Sequence, residues 1–283
     1  MTIKDRNLIV LAEPGATLTR TSNGNILVVD GASDVKIYDL AINGASGTGA
    51  GIALTSGGSQ SLTLTRVVMS GNNGMGGAIT ASGGTLTVSQ STLSGNAGGA
   101  IISTGGTLSL QQSTIYGNTG GGVSLSATSF DLENNIIAKN GGALTVYGGV
   151  LVDKLGSGAH KIEFNTIAQN NGNTGFTTGV TCQLVAQPIS FGNNIVYGNS
   201  GTQVSGMNCA WTASDIGPDT ATGMGNLNSD PLFVNAIQGN FHITGASPVI
   251  NQADPNATLA VDIDGNARPQ DGRRDMGADE YTP

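Results

Sequence analysis

The chain has 283 residues, 45 of them glycine, and only 11% are charged, against roughly 7% glycine and about 25% charged residues in an average protein. The formal net charge of -8, with 11 Lys plus Arg, would repel a nucleic-acid backbone. The longest strictly apolar run, Leu8 to Ala12, is far short of the roughly 18 residues a membrane helix needs. Two cysteines exclude a disulfide-rich miniature fold, and 38% hydrophobic residues suffice to fill a core, which excludes disorder.

The first stretch, Thr2 to Arg20, reads as the interior of a structural coil, with Glu13-Pro14-Gly15-Ala16 entering a turn. A cap in front of it, and a longer parent protein, are therefore expected. Further on, SLTLTRVVMSGN (61–72), TLTVSQSTLSGN (85–96) and TLSLQQSTIYGN (107–118) align without gaps. Their last residues, Asn72, Asn96 and Asn118, extend to weaker copies at Asn43, Asn140, Asn170 and Asn199, with spacings of 29, 24, 22, 22, 30 and 29. The longer spacings predict loops bulging from single coils, chiefly Tyr147 to Ala159 and Asn171 to Thr178.

Within each repeat, apolar residues fall ten, eight and three positions before the asparagine, as in Leu62, Leu64, Met69 and Leu108, Leu110, Ile115. Alternation by two means strand. A further strand follows the glycines, as at Gly77-Ala78-Ile79. Three short strands per 22 residues leave no room for a crossover helix. The reading is an all-β, single-stranded right-handed parallel β-helix of about nine coils over residues 1–228, coils stacking roughly 4.8 Å apart. The repeating asparagines predict a turn ladder, in left-handed conformation with stacked amides. Ser91, Ser113, Asn135, Asn165 and Asn194, each five residues earlier, predict a second inward polar column.

From Ser229 the repeat gives way to Asp230-Pro231-Leu232-Phe233, Ser247-Pro248-Val249-Ile250, Asp262-Ile263-Asp264-Gly265, Arg268-Pro269 and Asp275-Met276-Gly277-Ala278. This resembles the C-terminal segment of bacterial surface proteins of the choice-of-anchor Q domain type, a right-handed β-helix group broadly similar to pectate lyases. The resemblance implies an extracellular or cell-surface protein, whose secretion signal and anchor are absent from residues 1–283. It implies no particular activity. Residues 229–283 are expected to form a capping segment that closes or flanks the C-terminal end of the rod.

Lyase chemistry on such a scaffold needs clustered acids and a basic residue that removes a proton. No charged residue lies between Arg66 and Asp131, so three central coils cannot supply it. The candidate catalytic group is Asp131 and Lys161 in one outward column with Glu133 and Glu163 in the next; the bland alternative is a pair of solvated charge ladders. Pairing of Arg268, Arg273 and Arg274 to Asp271, Asp275 and Asp279 is the preferred reading of the tail's charges, with Asp262 and Asp264 as candidate calcium ligands the alternative. His160 and His242, lacking metal-ligand spacing, read as incidental. Tyr116, Tyr147, Tyr197 and Trp211 are candidates for stacking on sugar rings, with packing as the alternative. The outward Thr63, Thr65, Thr87, Ser89, Ser109 and Gln111 form a partial hydroxyl array of the kind that orders water against ice.

Cys182 and Cys209 fall 12 and 10 residues after successive asparagines. Stacked coils would bring them within disulfide range, and the oxidising setting implied by the resemblance would favour the bond; two reduced thiols are the alternative. A structural, adhesive or glycan-binding rod is the preferred reading of function. A polysaccharide lyase or hydrolase comes second, and ice binding third. Polysaccharide is the expected partner, nucleic acid is not, and no cofactor beyond calcium is indicated.

Overall fold

The structure is a computed structural model that describes residues 1–57, 59–219 and 221–283. Each coil contributes three strands, and like strands of successive coils pair in parallel. A central coil runs Gly77–Ala81, Thr85–Ser89, Thr92–Ser94. The first is Thr2–Lys4, Asn7–Leu11, Thr17–Thr19, and the last is Thr202–Ser205, Cys209–Thr212, Asp215–Gly217. The third ladder is a 9-stranded sheet, which makes nine coils. The first two ladders fuse into one 16-stranded sheet because their strands run on unbroken at Val123–Glu133 and Val150–Glu163. Among the described residues there is no α-helix, only a single 3-10 turn at Ala236–Gln238.

Period-two alternation points every second side chain inward, and parallel register then stacks equivalent residues. Leu64, Val88, Leu110 and Leu132 are direct register partners, all fully buried. Met69, Leu93, Ile115 and Ile137 do the same in the third ladder. The column ends in aromatics at the C-terminal coils, where Phe191 meets Trp211 edge-on with centroids 5.3 Å apart.

Two polar columns run through this core. In the first, each asparagine donates from its backbone N and its Nδ2 to the Oδ1 of the next: Asn72 to Asn96 at 3.0 and 2.9 Å, Asn96 to Asn118 at 3.0 and 2.8 Å, and on through Asn140, Asn170 and Asn199. Gln203 Oε1 closes the series by accepting from both nitrogens of Asn199. In the second, backbone N–H groups donate along Ser91, Ser113, Asn135, Asn165, Asn194 and Ser214. Every amide so used would otherwise be a buried unsatisfied group.

Two local expectations are corrected. The left-handed residues are those just before each column member, not the members themselves: Gly95 (φ 63), Gly117 (φ 63), Lys139 (φ 54) and Gln169 (φ 52) in one column, Gln90, Gln112, Asn134, Phe164 and Asn193 in the other. This conformation turns the chain so that the next side chain points inward. Residues Tyr147 to Ala159 do not bulge as a loop. Most of them lie in the 14-residue strand Val150–Glu163, whose extra length is absorbed by register shifts opposite Leu125 to Phe130.

Residues 229–283 lie along a flank of the rod. Gln112 Nε2 and Asn134 Nδ2 donate to the carbonyls of Asp262 and Val261, Lys139 Nζ donates to that of Ile237, and Ala278 N donates to Thr166 Oγ1. Phe164, Ile195, Val249 and Met276 form one core between tail and rod. The capping segment thus covers the side of the later coils, while the end of the rod is met by residues before it: Ala213 N donates to Met224 O and Leu227 N to Ser214 O.

Candidate functional site

The second ladder brings the charged candidates together. Asp131 faces Lys161 and Glu133 faces Glu163 across one strand pair. Lys161 Nζ sits between two carboxylates, hydrogen-bonded to Glu133 Oε1 and 2.9 Å from Glu163 Oε2. Burial pulls the ammonium down, but hydrogen bonds and charge from Glu133 and Glu163 outweigh it and hold Lys161 above its ordinary value. A lysine that removes a proton needs the opposite shift, so this cluster is built to keep its proton. Beside it lies a depression of about 190 Å³ lined by Lys161, Glu163, Ser190, Thr212 and Asp254; Asp254, brought by the tail, carried no sequence signal. Asp131 Oδ1 is buried and has no hydrogen-bond partner.

The hydroxyl columns keep the expected register, Thr63 with Thr87 and Ser109, Thr65 with Ser89 and Gln111, and continue directly into Asp131 and Glu133. Next to this face, at the bend into the third ladder, a groove of about 440 Å³ runs between rod and tail, lined by Arg66, Gln90, Thr92, Gln112, Thr114 and Asp264. Its lining is mostly polar, with Ile263 of the tail as an apolar member. Arg66 is held at one end by a forked pair with Asp39, at 2.6 and 2.9 Å.

The aromatic candidates are not open platforms. Trp211 is 3% exposed in the core, Tyr197 packs into the tail interface, and Tyr116 packs beneath the tail with Lys139 Nζ 5.9 Å from its ring centroid. Tyr147 lies against Gly121, half-buried, and desolvation raises its phenol. His160 meets Phe130 edge-on at 5.1 Å.

In the tail, Asp262 is wholly buried and occupied as an acceptor. Its Oδ1 takes Asp264 N and Asn266 N, and its Oδ2 takes Asn266 Nδ2 and Glu280 N. Asp264 instead is exposed and meets His242 Nε2 at 2.8 Å, so the two aspartates do not converge. The arginine pairing also differs from expectation. Arg268 bonds Glu280 Oε2 at 3.1 Å with both side chains 0% exposed, and stands 5.0 Å over the Phe164 ring. Arg273 and Arg274 donate to the carbonyls of Asn251 and Leu259, while the Asp275 carboxylate takes Asn251 N and Tyr281 N.

Cys182 and Cys209 are joined by a disulfide, with Cα atoms 6.5 Å apart. Their positions are not equivalent, as stacking alone would require. Cys182 ends a first-ladder strand and Cys209 begins a second-ladder strand, so the bond crosses a bend near the C-terminal end. Among the described residues no helix is long and apolar enough to cross a membrane.

Comparison with solved structures finds a chain titled "Crystal structure of pectate lyase Pel9A", with TM-score 0.51 and 13% identity over 99% of this chain and 87% of that one. At that identity the likeness is one of fold. A search of curated proteins gave no match. Residues 25–186, more than half of the sequence, match the family described as right handed beta helix region. With the nine parallel coils seen here, the chain belongs to the right-handed β-helix family.

Proposed function

We propose that this protein is an extracellular or cell-surface rod of the choice-of-anchor Q type that binds polysaccharide without cleaving it. The observation that carries the reading is the polar groove beside the tail, where Gln90 with Gln112 and Thr92 with Thr114 repeat on two successive coils, Gln112 offering its side-chain carbonyl because its Nε2 is given to Asp262 O. Such a row offers donors and acceptors at a spacing of about 4.8 Å, suited to hydroxyl groups along an extended glycan. Recognition there rests on hydrogen bonds rather than ring stacking. The disulfide supports an oxidising location, and the family type is supported by the tail motifs in the sequence, of which Asp275-Met276-Gly277-Ala278 folds onto buried Arg268.

A glycan array with the whole chain, followed by calorimetry on the best ligand, tests the reading. Gln90→Ala combined with Thr92→Ala is expected to weaken binding about tenfold, the equivalent of roughly 1.4 kcal/mol. Binding to no glycan, or binding unaffected by this double variant, would contradict the groove.

A lyase acting on acidic polysaccharide is the second reading, favoured by the fold likeness to a pectate lyase. The two carboxylates that flank Lys161 and hold it above its ordinary value argue against it.

A further inference from the structure

Three side chains of the tail converge outside the Lys161 cluster. His242 comes from the strand Asn240–Ile243, Asp264 from the turn after Asp262, and Asp279 from the final extended stretch. One ligand atom from each lies within 4.8 Å of the other two.

The hydrogen bonds of His242 decide what the cluster can hold. Its backbone N and its ring Nδ1 both approach Asn240 Oδ1, at 3.1 and 2.7 Å. A backbone N–H only donates, so the Asn240 atom is the carbonyl oxygen, and Nδ1 must carry the hydrogen that meets it. That leaves Nε2 facing Asp264 Oδ2 at 2.8 Å. Two arrangements satisfy this contact: a second ring proton on Nε2, giving an imidazolium–carboxylate pair, or a cation held by both atoms once they part slightly. On the third side, Asp279 is 6% exposed. Among the described residues one hydrogen bond reaches its carboxylate, from Ile243 N to Oδ2 at 2.7 Å, so a carboxyl group that burial pushes above its ordinary value is left with unused acceptor capacity facing the cluster.

We propose that His242, Asp264 and Asp279 form a binding site for a divalent first-row transition cation, represented by zinc. One imidazole nitrogen and two carboxylates suit such an ion better than calcium, which takes six to eight oxygens. Asn240 is the outer partner that fixes the tautomer and orients the ring. Metal–ligand distances of about 2.0–2.2 Å place donor atoms about 3.3 Å apart in a tetrahedral site, so Nε2 and Asp264 Oδ2 need only a small separation. The Asp264 side chain, 52% exposed, is free to swing outward and give the ion a path in. The fourth position stays open to water or to a ligand hydroxyl. The site does not depend on the glycan reading, and its test contains no glycan.

Calorimetric titration of the tag-free chain at pH 7.5 with zinc chloride, and separately with calcium chloride, tests the proposal. The expected result is one zinc per chain, loss of binding in His242→Ala, at least tenfold weakening in Asp264→Asn, and unchanged binding in His160→Ala. Because Asp264 is exposed, its variant keeps the fold, as a circular-dichroism spectrum would verify. Absence of stoichiometric zinc binding, tighter calcium than zinc binding, or zinc binding unaffected by both variants would overturn the site and leave a proton-bridged His242–Asp264 ion pair in its place.

Discussion

Asn118 shows how much one residue of this fold carries. Its Oδ1 accepts from two nitrogens of Asn96, and its Nδ2 donates to Asn140 Oδ1 and to Leu93 O. Asn118→Leu would leave several of these buried partners unmet at about 1–3 kcal/mol each. A loss of about 3 kcal/mol or more in urea unfolding is expected, and a loss under about 1 kcal/mol would contradict the ladder. Asp215 gives a prediction of different kind. It is fully buried, accepts from Ser229 N through Oδ1 and has no partner for Oδ2, and burial pushes it up to about 7. The folded state therefore holds the proton more tightly than the unfolded chain, whose value is about 3.9. The stabilisation is complete below the unfolded value and is lost as pH rises through 7. Between pH 5 and 8 the melting temperature of wild type should fall relative to Asp215→Asn; a constant difference would sink the assignment. At this scale the columns were legible because their members recur at fixed offsets. The left-handed positions were not, because Lys139, Gln169 and Phe164 occupy them as readily as glycine, so residue type does not mark them. His242 read as incidental and Asp279 as an arginine partner, because the two join Asp264 across 22 and 15 residues of non-repeating chain.

At the scale of elements, the tail is held by the buried pair of Arg268 and Glu280. Arg268 also donates to the carbonyls of Asp275 and Gly277. Removing one partner of a buried pair leaves an uncompensated charge and costs about 3–5 kcal/mol. Arg268→Ala is therefore expected to release the tail from Phe164 and the third ladder, read as protease cleavage within residues 229–283 while the coils remain protected. Equal resistance of variant and wild type would contradict this role. The strands themselves were legible from alternation by two, which the pleat imposes directly on sequence. Which coils the tail flanks was not, since nothing local in its turns encodes its partners. The long strand Val150–Glu163 was misread as a loop for a related reason. Extra residues in a repeat look alike in sequence whether they leave the coil or are taken up as a bulge.

On the scale of the whole molecule, nine coils stacked at about 4.8 Å give a rod roughly 45 Å long, with polar columns inside, hydroxyls and charges outside, and a tail along one side. The candidate lyase cluster was legible in composition and column position, but its electrostatics were not. Only the structure shows Lys161 between Glu133 and Glu163 rather than freed by burial. The central claim is that this rod binds polysaccharide and leaves it intact. The direct measurement is incubation of the protein with a panel of acidic polysaccharides, following retention on the polymer together with the ultraviolet absorbance of unsaturated products and the appearance of new reducing ends. Retention without product is the predicted result. Sustained product formation that Lys161→Met abolishes would contradict the account.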